Sequence, residues 1–402
     1  MKQITIIMKP THECNLACKY CYVEANAKQG RMSERTLQST IEEVAKLVKE
    51  SIHFIWHGGE PLLMGLDFYR QAVDIQGTYF SDKDIKNSMQ SNVTLVDEEV
   101  LDFCERYEFS IGSSMDGPEE IHNLTRVYSD GRGSFQDVWR GLQLIRQRNE
   151  KLRESARKKK KRPKSLGSGI ITILTRKNID RIDEIYDFFK IHRIPIKINP
   201  LIKSGKATDN YKELGIEPAE YGKVLIKLFN RWFYEKEQGI DVDPLSSILG
   251  NLMTAKPVGC EFRESCRDGF ISIGPNGDIY PCGRFDGVKE YWLGNINADR
   301  LTDVLESKKH KALATRGSET VKDCSTCKYK RMCNAGCMHN AYMQRGEISD
   351  KDYYCASYKM LFRHLEKALD RELDRVEVIP EEVEKYRVAM KVKQEIKGGE
   401  GK

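Results

Sequence analysis

The chain has 402 residues, 66 of them basic and 60 acidic, with a formal charge of +6 and a hydrophobic share of 40%. That length suits two or three domains, the hydrophobic share excludes wholesale disorder, and the charge is too mild to mark a nucleic-acid binder. No apolar run approaches the roughly 18 residues of a membrane span, and the apolar stretch Ile4–Met8 is too short for a signal peptide. A soluble, cytoplasmic protein without a membrane partner is expected.

Strand-like and helix-like segments alternate up to about residue 210. Ile4–Met8 reads as a strand, and Ser33–Lys49 as a helix with Leu37, Ile41, Val44 and Val48 on one face. Ile52–His57 is strand-like, Asp67–Phe80 helical, Ile85–Ser91 extended, and Asp97–Arg106 a helix with an acidic start. Phe109–Ser114 is a strand, Phe135–Gln147 a helix, Gly169–Leu174 a strand, Asn178–Ile191 a helix and Ile196–Asn199 a strand. Six such alternations predict an α/β fold with parallel strands and crossover helices, two strands short of a full barrel. Residues 217–238 form a long helix, and beyond about residue 258 the texture turns to glycines, cysteines and short segments. The expected division is 1–210, a helical connector 211–258, a cysteine-rich domain 259–360 and a charged helical tail 361–402.

Between Lys151 and Lys164, nine of fourteen residues are Lys or Arg, including the run Arg157–Arg162. The segment reads as a solvated loop before the fifth strand, or else a docking site for an acidic peptide or protein. Nucleic acid is an unlikely partner because no aromatic residues interleave with the charges.

Twelve cysteines are the unusual count. Cys14, Cys18 and Cys21 fall within eight residues, Cys104 stands alone, and eight lie between Cys260 and Cys355. Clustered thiols in a cytoplasmic protein read as metal ligands rather than disulfides. The triad follows the first strand, at the carboxyl edge where parallel sheets place their chemistry. Three thiolates can hold three irons of a 4Fe–4S cubane and leave the fourth iron open; a zinc site completed by His12 is the alternative.

Cys14-x3-Cys18-x2-Cys21, with Tyr20 before the last cysteine, resembles the motif of radical S-adenosylmethionine (SAM) enzymes. Gly58-Gly59-Glu60-Pro61 after the second strand is similar to that family's cofactor-binding turn, and Gln90-Ser91-Asn92 and Ser114-Met115-Asp116-Gly117-Pro118 end the third and fourth. The resemblance implies a partial (β/α)6 TIM-like barrel and a SAM-bound cluster that generates a 5′-deoxyadenosyl radical. It implies cofactor contacts from Tyr20, Gly58, Gly59, Glu60, Pro61, Ser114 and Arg126.

The C-terminal cysteines, with Cys324-x2-Cys327-x5-Cys333-x3-Cys337, resemble the SPASM domain, which holds auxiliary 4Fe–4S clusters. A zinc ribbon would explain only four of these eight. The family pattern implies one cluster on Cys260, Cys266, Cys282 and Cys337 and another on Cys324, Cys327, Cys333 and Cys355, three clusters in all. Cys104 is left as a buried helix residue.

Two activities within that resemblance compete, beside a non-catalytic iron–sulfur carrier that would need no glycine turn and an RNA modifier that would rest on the basic run alone. One is crosslinking of a ribosomally made precursor peptide through a thioether or carbon–carbon bond. The other is conversion of Cys or Ser to formylglycine, as in anaerobic sulfatase-maturating enzymes. Those enzymes typically place an acidic base directly after the cysteine matching Cys282, where this chain has Gly283, so crosslinking is the expectation and Asp286 a substitute base. The triad starts at residue 14, leaving no room for a leader-binding domain ahead of it; the basic run or the tail would hold a leader. An electron donor such as ferredoxin or flavodoxin is expected.

Overall fold

Nine residues of β1 (Gln3–Thr11) start a sheet that runs through most of the protein. The computed structural model describes residues 2–23, 30–161, 164–235, 239–263 and 269–374. β2 (Ser51–Gly58), β3 (Asp84–Gln90), β4 (Phe109–Ser114), β5 (Gly167–Leu174) and β6 (Ile196–Pro200) follow in spatial as well as chain order, all parallel. The crossovers are α1 (Glu34–Leu47), α2 (Leu66–Tyr79), α3 (Glu98–Arg106), α4 (Phe135–Lys158) and α5 (Ile182–Ile191). This is the partial barrel expected from the alternation.

The helices begin where capping chemistry permits. Ser33 accepts a hydrogen bond from Thr36 N–H at the start of α1, and Asp97 accepts one from Val100 N–H at the start of α3. α1 then buries Leu37, Ile41 and Val44, the stripe read from the sequence. Cys104 lies on α3 and is 1% exposed.

The sheet does not stop at six strands. After α6 (Pro218–Phe233), the two-residue β7 (Val242–Asp243) pairs in parallel with β6, so the region read as a helical connector adds a strand before α7 (Leu245–Thr254). On the other edge, β8 (Phe270–Ile273) pairs in parallel with β1. β9 (Asp278–Tyr280) and β10 (Gly294–Asn295) continue it antiparallel, in the order β10-β9-β8-β1-β2-β3-β4-β5-β6-β7. The cysteine-rich part thus shares a hydrogen-bonded seam with the first strand. Near the end, α8 (Met338–Arg345) precedes α9 (Cys355–Asp374), which buries Leu361, Phe362, Leu365 and Ala368 and packs on α6. Residues 375–402 lie outside the described residues.

Only the first part of the basic run is helical, and Lys159–Lys161 form a turn beyond the helix end. Lys151–Lys158 continue α4, whose last buried residue is Asn149; beyond it the good helix formers Lys, Arg, Glu and Ala sustain the helix. Because α4 leads into the start of β5, the run lies at the amino edge of the parallel sheet, opposite the triad. Among the described residues no helix is long and apolar enough to cross a membrane.

Leu365→Ala should cost about 2–5 kcal/mol through the cavity it leaves, read as a lower denaturant midpoint. Lys158→Ala should change stability by no more than about 0.5 kcal/mol, because its helix end is exposed.

Candidate functional site

The site starts at an irregularity in β1. Pro10 has no N–H to give, the register against β2 shifts between Met8 and Thr11, and the strict alternation ends there, with Met8, Lys9, Pro10 and Thr11 all buried. The chain then turns into the loop carrying Cys14, Cys18 and Cys21.

That loop is stitched to the turn after β2. Gly59 N–H donates to Thr11 O at 2.9 Å and Glu60 N–H to Glu13 O at 2.8 Å. A Cβ on Gly59 would sit 2.0 Å from Glu13 O, and one on Gly58, at φ +121°, would sit 2.5 Å from Thr11 O. Both glycines are therefore required by the approach of the cysteine loop itself. Glu60 is fully buried. Its carboxylate accepts from Leu62 N–H, Ser91 Oγ and Asn92 N–H at 3.1, 2.8 and 2.7 Å, three donors that oppose the upward push of burial on its pKa. Pro61 opens a short 3₁₀ turn whose carbonyl accepts from Tyr69 Oη at 2.7 Å.

Opposite the triad lies a second buried network. Tyr20 Oη donates to Asp116 Oδ2 at 2.6 Å and accepts from Arg126 Nη1 at 2.9 Å. Burial works against the Arg126 charge, but Cys18, Tyr20 and Asp116 outweigh it and hold the guanidinium protonated. Arg126 Nε and Ser113 Oγ are buried with no hydrogen-bond partner. Ser114 Oγ accepts from Gln90 Nε2 at 3.1 Å. Asn92, at the end of β3, donates to Asn15 Oδ1 at 2.8 Å and to Cys14 Sγ at 3.8 Å. Three thiols on one loop, beside a buried cation whose Nε has no partner, fit a cluster that leaves one iron to a zwitterionic ligand.

A third group joins the two halves of the protein. Lys9, 1% exposed, pairs with Asp286 Oδ2 at 3.0 Å, and His12 Nε2 meets the same oxygen at 2.6 Å. Burial pushes Asp286 up, but Lys9 and His12 outweigh it and hold the carboxyl at about 2. Burial lowers Lys9, and Tyr22, Asp286 and the Cys282 thiol more than restore its charge. His57 is held neutral, at about 4, by burial and by Lys9. Gly283 lies against β1, where a Cβ would come 3.0 Å from Ile7 Cγ2 and 3.4 Å from Lys9 Cε. A side chain there would need the Ile7 and Lys9 side chains to give slightly, and the carboxylate of this turn is that of Asp286.

The remaining cysteines fall into two places. Cys324, Cys327, Cys333 and Cys355 line one cavity with Tyr329, Tyr358 and Phe362. Cys260 and Cys337 line another, and Cys282 lies close enough that all three thiols act on Arg284. Cys266 lies outside the described residues. Among the described residues no three ligand-type side chains converge on a single ion; the thiols ring cavities instead. Sequence reasoning missed Lys9, Arg284 and the cap that Glu60 places on Ser91 and Asn92. Lys9 sits in an apolar strand pattern that marks it only as a surface lysine.

A Radical SAM superfamily model matches residues 8–189, and an iron–sulfur cluster-binding SPASM model matches residues 265–328. The chain thus carries a radical SAM domain followed by a SPASM domain. Over 380 residues it is 27% identical to the cysteine-type anaerobic sulfatase-maturating enzyme of Clostridium perfringens, covering 90% of this chain and 96% of that one. It is 26% identical over 395 residues to the serine-type anaerobic sulfatase-maturating enzyme of Bacteroides thetaiotaomicron, covering 92% and 91%. Among solved structures, native anSMEcpe with bound AdoMet and Kp18Cys peptide matches with TM-score 0.77 and 26% identity, over 93% of this chain and 100% of that one. The two domains imply SAM, a 4Fe–4S cluster at the SAM site and auxiliary clusters in the SPASM domain. When bound, SAM and its cluster supply hydrogen abstraction from an unactivated carbon.

Gly59→Ala should displace the triad loop, so that 5′-deoxyadenosine release falls at least a hundredfold while auxiliary iron stays bound. Cys18→Ala should show the same pattern, read by iron content and by chromatography of the nucleoside.

Proposed function

We propose that this enzyme is a protein maturase that oxidises a Cys or Ser side chain of its substrate to formylglycine. The observation that carries the reading is Asp286, a carboxylate held ionised by Lys9 and His12 between the triad loop and the Cys282 turn. The likeness to sulfatase-maturating enzymes along nine-tenths of the chain supports it and fits better than the crosslinking expected from Gly283. That expectation rested on a missing acid after Cys282. Gly283 packs on Ile7 and Lys9, and in this reading the acid is supplied three residues later.

In this reading Cys14, Cys18 and Cys21 hold the SAM-site cluster, and Arg126, Ser114, Tyr20 and the Gly58–Pro61 turn frame the cofactor. Cys260, Cys266, Cys282 and Cys337 hold the first auxiliary cluster; Cys324, Cys327, Cys333 and Cys355 hold the second. Lys9 and His12 both bind Oδ2 of Asp286 and hold the carboxylate in place beside the Cys282 turn. Once a hydrogen atom has left the substrate carbon, the remaining electron would pass to an auxiliary cluster and the thiol or hydroxyl proton becomes strongly acidic. Its loss leaves the aldehyde from Ser, or from Cys a thioaldehyde that water hydrolyses with release of hydrogen sulfide. That proton is acidic enough to pass even to a carboxylate held at about 2, provided the two groups are in reach of each other. A low-potential ferredoxin or flavodoxin supplies the starting electron. The basic run at the amino edge of the sheet lies on the wrong side to steer a leader into this site.

The test is anaerobic incubation of reconstituted enzyme, SAM and reductant with sulfatase-type peptides bearing Cys or Ser. An aldehyde that reacts with a hydrazine is expected, and a dehydrogenated, sulfur-retaining crosslink in its place would overturn the reading. Asp286→Asn should lower aldehyde yield at least a hundredfold while 5′-deoxyadenosine release persists within about threefold of wild type.

A further inference from the structure

The turn that carries Cys282 presents a second charged group. Arg284 Nη1 donates to Cys337 Sγ at 3.7 Å and to Asn340 Oδ1 at 3.0 Å. The orientation of the Asn340 amide is set by its other end, where Nδ2 donates to Oδ2 of the fully buried Asp352 at 3.1 Å. The same carboxylate oxygen accepts the backbone N–H of Cys337 at 2.8 Å. Guanidinium, amide and carboxylate thus form a closed chain around the loop that bears Cys337, and Arg284 is tethered rather than free to swing into solvent.

The charge on Arg284 faces sulfur. A guanidinium keeps its charge at any working pH, and this one is aimed at the Cys337 sulfur. Cys337 is one of the four residues assigned above to the first auxiliary cluster. The neighbouring cations are already engaged. Lys9 is matched by Asp286, and Arg316, beside the same loop, gives its donors to the carbonyls of Ala335, Gly336, Ile348 and Asp350. The hydrogen bonds of Arg284 go to a thiol and an amide, not to a carboxylate.

We propose that Arg284 tunes the first auxiliary cluster, its fixed charge and its N–H bond to Cys337 stabilising the reduced form. Reduction adds one negative charge to a cubane. A cation in a weakly screened position lowers the energy of that state, and a hydrogen bond to a ligating sulfur acts in the same direction. The effect falls on the cluster nearest the Asp286 base. The electron leaving the substrate radical and the proton leaving its thiol or hydroxyl then have acceptors on the same five-residue turn, Cys282–Asp286. That coupling to turnover rests on the formylglycine reading; the tuning itself does not.

The experiment is an EPR-monitored redox titration of reconstituted full-length enzyme in a background with Cys14, Cys18 and Cys21 changed to Ala, which leaves only the auxiliary clusters. Arg284→Met should lower the reduced-to-oxidised ratio of one cluster at least tenfold at a fixed poise, about 59 mV for a one-electron couple. The other cluster should hold within twofold. Arg284→Lys keeps the charge and should recover at least half of the shift on a logarithmic scale. Should Arg284→Met fail to assemble the cluster, seen as a loss of about four irons per chain, Arg284→Gln keeps a donor for Cys337 and should still lower the ratio at least threefold. An unchanged ratio in whichever neutral variant retains its iron, or an equal shift of both clusters, would overturn the proposal. Because no substrate is present, failure here is separate from failure of the peptide assay.

Discussion

Strand β1 is hydrogen-bonded along both edges, to β2 on one side and to β8 on the other, and the rest of the site depends on that double pairing. Through β2 it fixes the glycine turn against the cysteine loop. Through β8 and β9 it brings the Cys282–Asp286 turn alongside residues 7–12. The break in register at Pro10 then turns Lys9 inward, so that a strand lysine becomes the counter-charge of a carboxylate 277 residues later in the chain. Two regions far apart in sequence are thereby held at one place without a linker having to position them.

Buried charge is the second organising constraint. Ions taken out of water are tolerated only with partners, and each one here has a dedicated set. Lys9 and His12 serve Asp286, Asp116 and Tyr20 serve Arg126, and Asp243 and Glu261 serve Lys197 beside Cys260. Arg284 differs in that its partners are a thiol and an amide. Removing one member of such a set strands the others, so these networks specify geometry more than they add stability. They sit where thiolates and a charged cofactor have to be accommodated, and they orient donors before those groups arrive.

Much of this was legible from residue types and spacing. The six parallel strands followed from alternating periodicity, and α1 and α3 from apolar stripes behind capping residues. The triad at the end of β1 and the glycine turn at the end of β2 share the carboxyl edge, as parallel topology demands. The helical start of the basic run was missed because a charge-rich stretch has no apolar stripe, yet Lys, Arg and Glu are good helix formers and extend α4 to Lys158. β7 was missed because two residues carry no period. Gly283 was taken as a missing acid, since a sequence shows which side chain is absent but not what fills its space.

The sequence by itself determined the chemistry available: three thiols on one loop, a second cysteine-rich region, and the helices and strands that carry them. Those properties are local, set by spacing, capping and periodicity within a few turns of chain. Only the tertiary structure decided which charges meet. The pairing of β8 with β1, the inward turn of Lys9 and the chain from Asp352 through Asn340 to Arg284 depend on contacts between residues far apart in sequence, and the energy of a buried ion pair exists only once both partners have left water.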